Sequence, residues 1–277
     1  MTMESGRKTA IMNRGRRPPR LKSRTKRIWH VVNDPQPLVS IIIPAMNERR
    51  TIAGVMREAA GVHPRSEIIV VANGSTDGTA EIAGKHGARL LFYPDPLGHD
   101  VGRRIGAEAA KGKVLLFIDA DMLIAARHLK PFVDAVLSGT DVALNDYSGP
   151  VKRKDAHPVV LAKHTLNALV SRPDLKGASM TAVPHAISRR AVEIIGFPAL
   201  EIPPLAQAMA VTLGLGIKLV HPVPVGRLNA SRPKIKGNDS LTSLVTGDHL
   251  EAVSWLVDKL GPRAGYGDMG RQRGRLR

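Results

Sequence analysis

A mostly parallel α/β sheet covered by helices on both faces is what the 277-residue sequence predicts, and three features point to it. Short runs rich in Ile and Val alternate with segments whose apolar residues recur at helical spacing. Each run is about as long as a buried strand, and each ends in a loop dense in Pro, Gly, Asn or Asp. Parallel strands all point the same way, so those loops gather at one end of the sheet, where α/β folds bind ligands.

The elements follow in order. Residues 39–43 (Val-Ser-Ile-Ile-Ile) form a strand that Pro44 turns into a loop, and Ile52, Val55, Met56 and Ala59 mark the next helix. Residues 67–71 repeat the pattern. The loop from Asn73 to Thr79 feeds a helix around 81–85, which Gly87 ends. A third strand over 88–93 precedes a helix over about 101–110, with Asp100 as N-cap and Gly112 beyond its end. The fourth strand, 114–118, stops at Asp119-Ala120-Asp121-Met122. Hard carboxylate oxygens at a strand end suit Mg2+ or Mn2+, either of which can bridge a diphosphate. No Gly-x-Gly-x-x-Gly follows the first strand, since Gly102 and Gly106 fall inside a helix, and no Walker A loop is present.

The second half begins with a helix carrying Phe132, Val133, Val136 and Leu137, then a strand over 142–144 that ends at Asn145-Asp146. Residues 158–170 are helical by Val159, Ala162, Leu166 and Leu169, and His157 and His164 read as surface or packing residues. A strand is expected over 177–183, then a helix over 188–195. In the apolar stretch 196–205 stands a single acid, Glu201, which suits a general base or else caps the helix that starts at Pro203-Pro204. The apolar stripe over 240–260 reads as core packing.

Composition limits the classes. A chain that is 43% hydrophobic can bury a full core, and its length suits a single catalytic domain over 37–261. The absence of cysteine excludes disulfides, thiolate metal sites and a cysteine nucleophile. The net charge of +17 is concentrated at the ends: ten Lys or Arg against two acids in residues 1–36, five against one in 262–277. Both ends are expected to be basic extensions, the first disordered. The first could meet an anionic membrane surface, while 3% aromatics give no base-stacking platform, so nucleic acid is an unlikely partner. No run reaches the 18 to 20 apolar residues that cross a bilayer, and basic residues interrupt the N-terminus, so a cytoplasmic location, peripheral at the inner face of the membrane, is expected.

Residues 39–48 (VSIIIPAMNE), 67–79 (EIIVVANGSTDGT) and 117–121 (FIDAD) together resemble the hallmark segments of family 2 glycosyltransferases, which have the Rossmann-like GT-A fold. The resemblance runs from about 38 to 137 and implies the nucleotide-sugar half of the enzyme, with the acceptor half over 138–261. It implies that Pro44, Asn47 and Glu48 line the base and ribose pocket, with Asn73 and Asp77 on the second loop. Asp121 would be the metal ligand, Asp119 would contact ribose or support the metal, and Arg103 and Arg104 would meet phosphate. Glu201 would be the base, with Asp146 in reserve. The donor would be a nucleotide-diphosphate sugar, UDP-linked, the acceptor a hydroxyl, and the cofactor Mg2+ or Mn2+.

Two positions depart from the family pattern: Ala72 stands where an aspartate is frequent, and Met122 where a further acid is common. The stretch from Glu201 to Arg232 also resembles retaining synthases of the glucosyl-3-phosphoglycerate type, with Asn229 in the region of their metal-binding histidine. There Arg227, Arg232, Lys234 and Lys236 could clamp a diphosphate or an anionic acceptor. The alternatives are therefore such a retaining transferase, a nucleotidyltransferase, against which the 44–48 loop argues, and a non-catalytic binding module. No Gln-x-x-Arg-Trp is present, which disfavours a processive synthase.

Overall fold

Ile41, Ile42 and Ile43 have no solvent-exposed surface, as a strand requires when helices cover both faces of its sheet. They belong to β1 (Val39–Ala45) of a computed structural model that describes residues 29–149, 156–228 and 240–272. After β1 come α1 (Ile52–Ala60), β2 (Ser66–Asn73), α2 (Thr79–Lys85), β3 (Arg89–Tyr93), α3 (Val101–Ala109), β4 (Val114–Phe117), α4 (Ala126–Leu137) and β5 (Val142–Asn145). Then follow α5 (Pro158–Leu169), β6 (His185–Ser188), α6 (Arg189–Ile195), α7 (Pro203–Thr212), β7 (Ile217–His221), α8 (Val225–Leu228) and α9 (Ser240–Leu260).

Among the described residues the sheet has seven strands in the order β3-β2-β1-β4-β6-β5-β7. Every pairing is parallel except those of β6, which runs against β4 on one side and β5 on the other. Alternate side chains of each strand serve opposite faces. Ile41, Ile43, Ile68 and Val70 pack with Met56 of α1 and Phe132 of α4. Ile42, Ile69 and Val71 pack in the other layer, which includes Ala107 of α3, Val192 of α6 and Ala206 of α7. A third cluster joins Leu166 of α5, Ala208 of α7, and Ala252 and Leu256 of α9. Glu67, 4% exposed, ties the strand starts together: Oε1 accepts from Ser40 Oγ and from the Lys111 amide, both at 2.6 Å, and Oε2 pairs with Arg89 at 3.2 Å.

Several expectations change. Residues 177–183 are irregular, and the strand lies just after them as β6. Strand β7 was not anticipated. Asp100 stands at the N-cap of α3, but with φ of 61° its side chain makes no capping bond and pairs instead with Arg103. The basic arm was expected to run to residue 36, yet residues 29–34 lie against the domain. Trp29 stacks on His86 with ring centroids 4.5 Å apart and sits beneath the Arg57 guanidinium. The Val31 amide donates to the His86 carbonyl at 2.8 Å, and Asn33 bonds both the Ile68 amide and the Gly87 carbonyl. Residues 1–28 and 273–277 of the basic extensions, and Asn229, Arg232, Lys234 and Lys236, lie outside the described residues. No described helix is long and apolar enough to cross a membrane.

Candidate active site

The strand ends of β1, β2 and β4 open on a cleft of about 740 Å³. Pro44 and Glu48 reach it from the loop after β1, Asn73 from the end of β2, Asp119 and Asp121 from the loop after β4, and Arg103 from α3. Close packing makes this convergence achievable. Gly102 lets α3 approach β1, since a Cβ there would stand 3.1 Å from Pro44 Cβ. Gly74, with φ of +69°, turns the chain out of β2 against Pro96, in a backbone region that side chains rarely adopt.

Asn73 is buried, and both ends of its amide are engaged. Oδ1 accepts from the Leu97 amide at 2.7 Å and Nδ2 donates to the Gly98 carbonyl at 3.1 Å, so it fixes the loop that leads into α3. Asn47 and Asp77, expected at the nucleotide, do not line the cleft. They stitch the first two loops together. Asn47 Oδ1 accepts from the Thr76 amide at 2.9 Å, its own amide donates to Ser75 Oγ at 3.1 Å, and Asp77 Oδ2 accepts from the Arg49 amide at 3.1 Å. Burial opposes ionisation of Asp77, but the bonds from Thr79 and Arg49 outweigh it and hold its carboxyl below the usual range. Glu48 remains on the cleft, its amide donating to Thr79 Oγ1 at 2.8 Å.

Arg103, expected to meet phosphate, is 6% exposed. Its Nε lies 2.9 Å from Asp100 Oδ1, its Nη2 3.6 Å from Asp119 Oδ1, and its Nη1 donates to the Met180 carbonyl at 3.2 Å. The guanidinium thus braces Asp119 from behind. Its charge also reaches two bases, the buried His185 and the half-buried Lys163. Burial and Arg103 push His185 down to about 3, leaving a neutral imidazole whose Nδ1 donates to the Ala182 carbonyl at 3.0 Å, with Phe117 stacked on the ring. Burial and Arg103 lower Lys163 to about 8. On α9, burial and the neighbouring Asp100 and Glu251 push Asp248 up to about 6, with His99 opposing.

Glu201, expected as a base isolated among apolar residues, pairs with Arg104 of α3 at 3.1 Å and does not line the cleft. Arg104, the second expected phosphate contact, is held by Glu201 and by Glu108 at 2.8 Å. Asp146 is exposed beyond β5, its amide donating to the His221 carbonyl at 3.2 Å, and it too is absent from the lining.

The opposite wall was not foreseen. His157, Val159 and Val160 of the α5 start, Thr181, and Leu241, Thr242 and Val245 of α9 complete the cleft. Among the described residues no group of three or more His, Cys, Asp or Glu side chains forms a ready ion cage. Asp119 and Asp121 nevertheless present hard oxygens at an open cleft, which fits Mg2+ or Mn2+ when substrate phosphates and water supply the remaining ligands.

The mostly parallel sheet with this cleft at the carboxyl ends of its strands has the GT-A architecture. The structure of glucosyl-3-phosphoglycerate synthase from Mycobacterium tuberculosis with Mn2+, UDP and phosphoglyceric acid matches with a TM-score of 0.60 and 20% identity, over 84% of this chain and 81% of that one. Mannosyl-3-phosphoglycerate synthase from Rubrobacter xylanophilus matches at 0.58 and 19%, over 86% and 78%. The model of the family described as Glycosyl transferase family 2 matches residues 40–179, and the chain belongs to that family. Glycosyltransferase AglD of Haloferax volcanii is 36% identical over 112 residues, which are 36% of this chain and 18% of that protein. The chain spans less than half the length of the first curated relatives it matches.

Proposed function

We propose that this glycosyltransferase moves a sugar from a UDP-linked donor to a hydroxyl acceptor, with a divalent cation at Asp121 and Asp119. The observation that carries this reading is the meeting of Pro44, Glu48, Asn73, Asp119 and Asp121, from three separate strand ends, on one cleft. The solved neighbour that holds Mn2+ with UDP supports the choice of base and metal. When bound, such a cation would offset the negative charge that develops on the leaving diphosphate. The chain's own part is positional. Asn73 fixes the loop over the nucleotide, Glu48 offers a carboxylate to ribose hydroxyls, and Arg103 braces Asp119 while its own charge is offset by Asp100. In this reading Asn47 and Asp77 act indirectly, by holding the Glu48 loop in place.

A retaining course is the second reading, and the position of Glu201 favours it. Inversion needs a carboxylate beside the acceptor hydroxyl, whereas Glu201 is paired with Arg104 away from the cleft lining. The structural likeness to the glucosyl- and mannosyl-3-phosphoglycerate synthases agrees with a transferase of that type. A domain that takes in the packed residues 29–34 and runs to 261, and a membrane-directed basic arm before it, belong to the same proposal. The test is thermal stabilisation by UDP, UDP-glucose and GDP-mannose, each with and without Mn2+. Stabilisation by a UDP ligand that requires the metal supports the reading, and no response to any of the three removes it.

A further inference from the structure

The α5 and α9 side of the cleft carries four apolar residues beside His157 and Thr242. Val159 and Val160 come from the first turn of α5, and Leu241 and Val245 from the first two turns of α9. Thr242 Oγ1 lies 3.4 Å from His157 Nε2, which holds the two helix starts side by side. Leu241, Val245, Ala252 and Leu256 form one stripe along α9. Its far end is covered, since Ala252 and Leu256 pack with Leu166 and Ala208. Its near end enters the cleft, where Leu241 is 47% exposed. A core stripe that, among the described residues, emerges inside a ligand cleft marks a surface for apolar ligand atoms.

We propose that the acceptor is an amphiphile: its hydroxyl faces the Asp119 and Asp121 side of the cleft, and its hydrocarbon chain lies along Val159, Val160 and Leu241. The proposal rests on the reading of the cleft as a sugar-donor site and names the acceptor class for it. The occupant follows from continuity. Val160 and Leu241 line the same cleft as the carboxylates, so whatever covers them also reaches Asp119 and Asp121, and a small polar acceptor would leave Leu241 in water.

The test titrates the full-length protein with butyl, hexyl and octyl β-D-glucosides, each below its micellar concentration. Affinity should rise about two- to fourfold per added methylene, the range from half to full burial of each group. Leu241→Ser should flatten the series, while Leu137→Ser, an exposed change at the end of α4, should leave it intact. A flat series in the native protein, a rising series that Leu241→Ser does not alter, or binding of 3-phosphoglycerate without any alkyl glucoside would overturn the proposal. Stabilisation by UDP with Mn2+ is measured on the same samples. Nucleotide binding with a flat series removes the amphiphilic acceptor alone. A rising series without nucleotide binding leaves the apolar site standing and removes the donor reading.

Discussion

Replacing Arg103 by Met should expose how much of the site rests on one guanidinium. The Arg103 and Asp100 side chains are 7% and 4% exposed and meet at 2.9 Å, and the guanidinium also serves Asp119 and the Met180 carbonyl. Removing one member of a buried ion pair costs about 3–5 kcal/mol, because the other charge stays buried. At the lower end of that range the cost is about 3 kcal/mol. For a domain of this size that corresponds to a melting temperature about 6–12 °C lower. Arg103→Lys should recover only part of the loss, because an ammonium cannot span three partners in one plane. Differential scanning calorimetry at pH 7.5 reads both effects. A Met variant melting within about 2 °C of the native protein at pH 7.5 would refute the bracing role.

A chain starting at Pro35 should melt at least about 5 °C below one starting at Trp29, because it loses the Trp29 stack and the two Asn33 bonds. The chain starting at Trp29 should in turn lose the full chain's binding to phosphatidylglycerol vesicles, and equal binding would remove the membrane role of the basic arm. Glu201→Gln should lower turnover by less than about tenfold, whereas loss of a general base costs about a hundredfold or more, so single-turnover rates separate the two. The folded pKa of Asp248, about 6, lies above that of an unfolded aspartate, so the native state holds the extra proton between about pH 4 and 6. Its contribution to stability is therefore present below pH 4 and lost as pH rises to 6. Asp248→Asn should raise the melting temperature at pH 8 more than at pH 4, and an equal effect at both would contradict that sign.

Most of the sheet and the carboxylate side of the cleft were legible because their signals are local. The Ile-rich run of β1, the loop after β2 and the Asp-Ala-Asp after β4 each carry strand, turn and chemistry within a few residues, and parallel order brings them to one edge. The contacts that were not legible share a cause. Whether Asn47 and Asp77 face a ligand or each other's loops depends on contacts 28 to 29 residues away, which no motif spacing records. Glu201 looked isolated because its partner, Arg104, is 97 residues distant. The α5 and α9 wall was invisible for the same reason: an apolar stripe states that a helix face is covered, not that its first turns are left for a ligand. Asp100 carried a capping signal that Arg103, three residues on, redirected into an ion pair.

Titration of UDP into the native protein and into Asp121→Asn, each with and without Mn2+, tests the central claim most directly. Asn keeps the volume of Asp and removes one charge where the cation and the diphosphate would meet, so the melting temperature without ligand should be preserved. The account predicts metal-dependent UDP binding in the native protein that falls at least about tenfold in the variant, with Asp119→Asn also weakened. Native binding that is indifferent to Mn2+, or an Asp121→Asn variant that binds UDP as the native protein does, would contradict it.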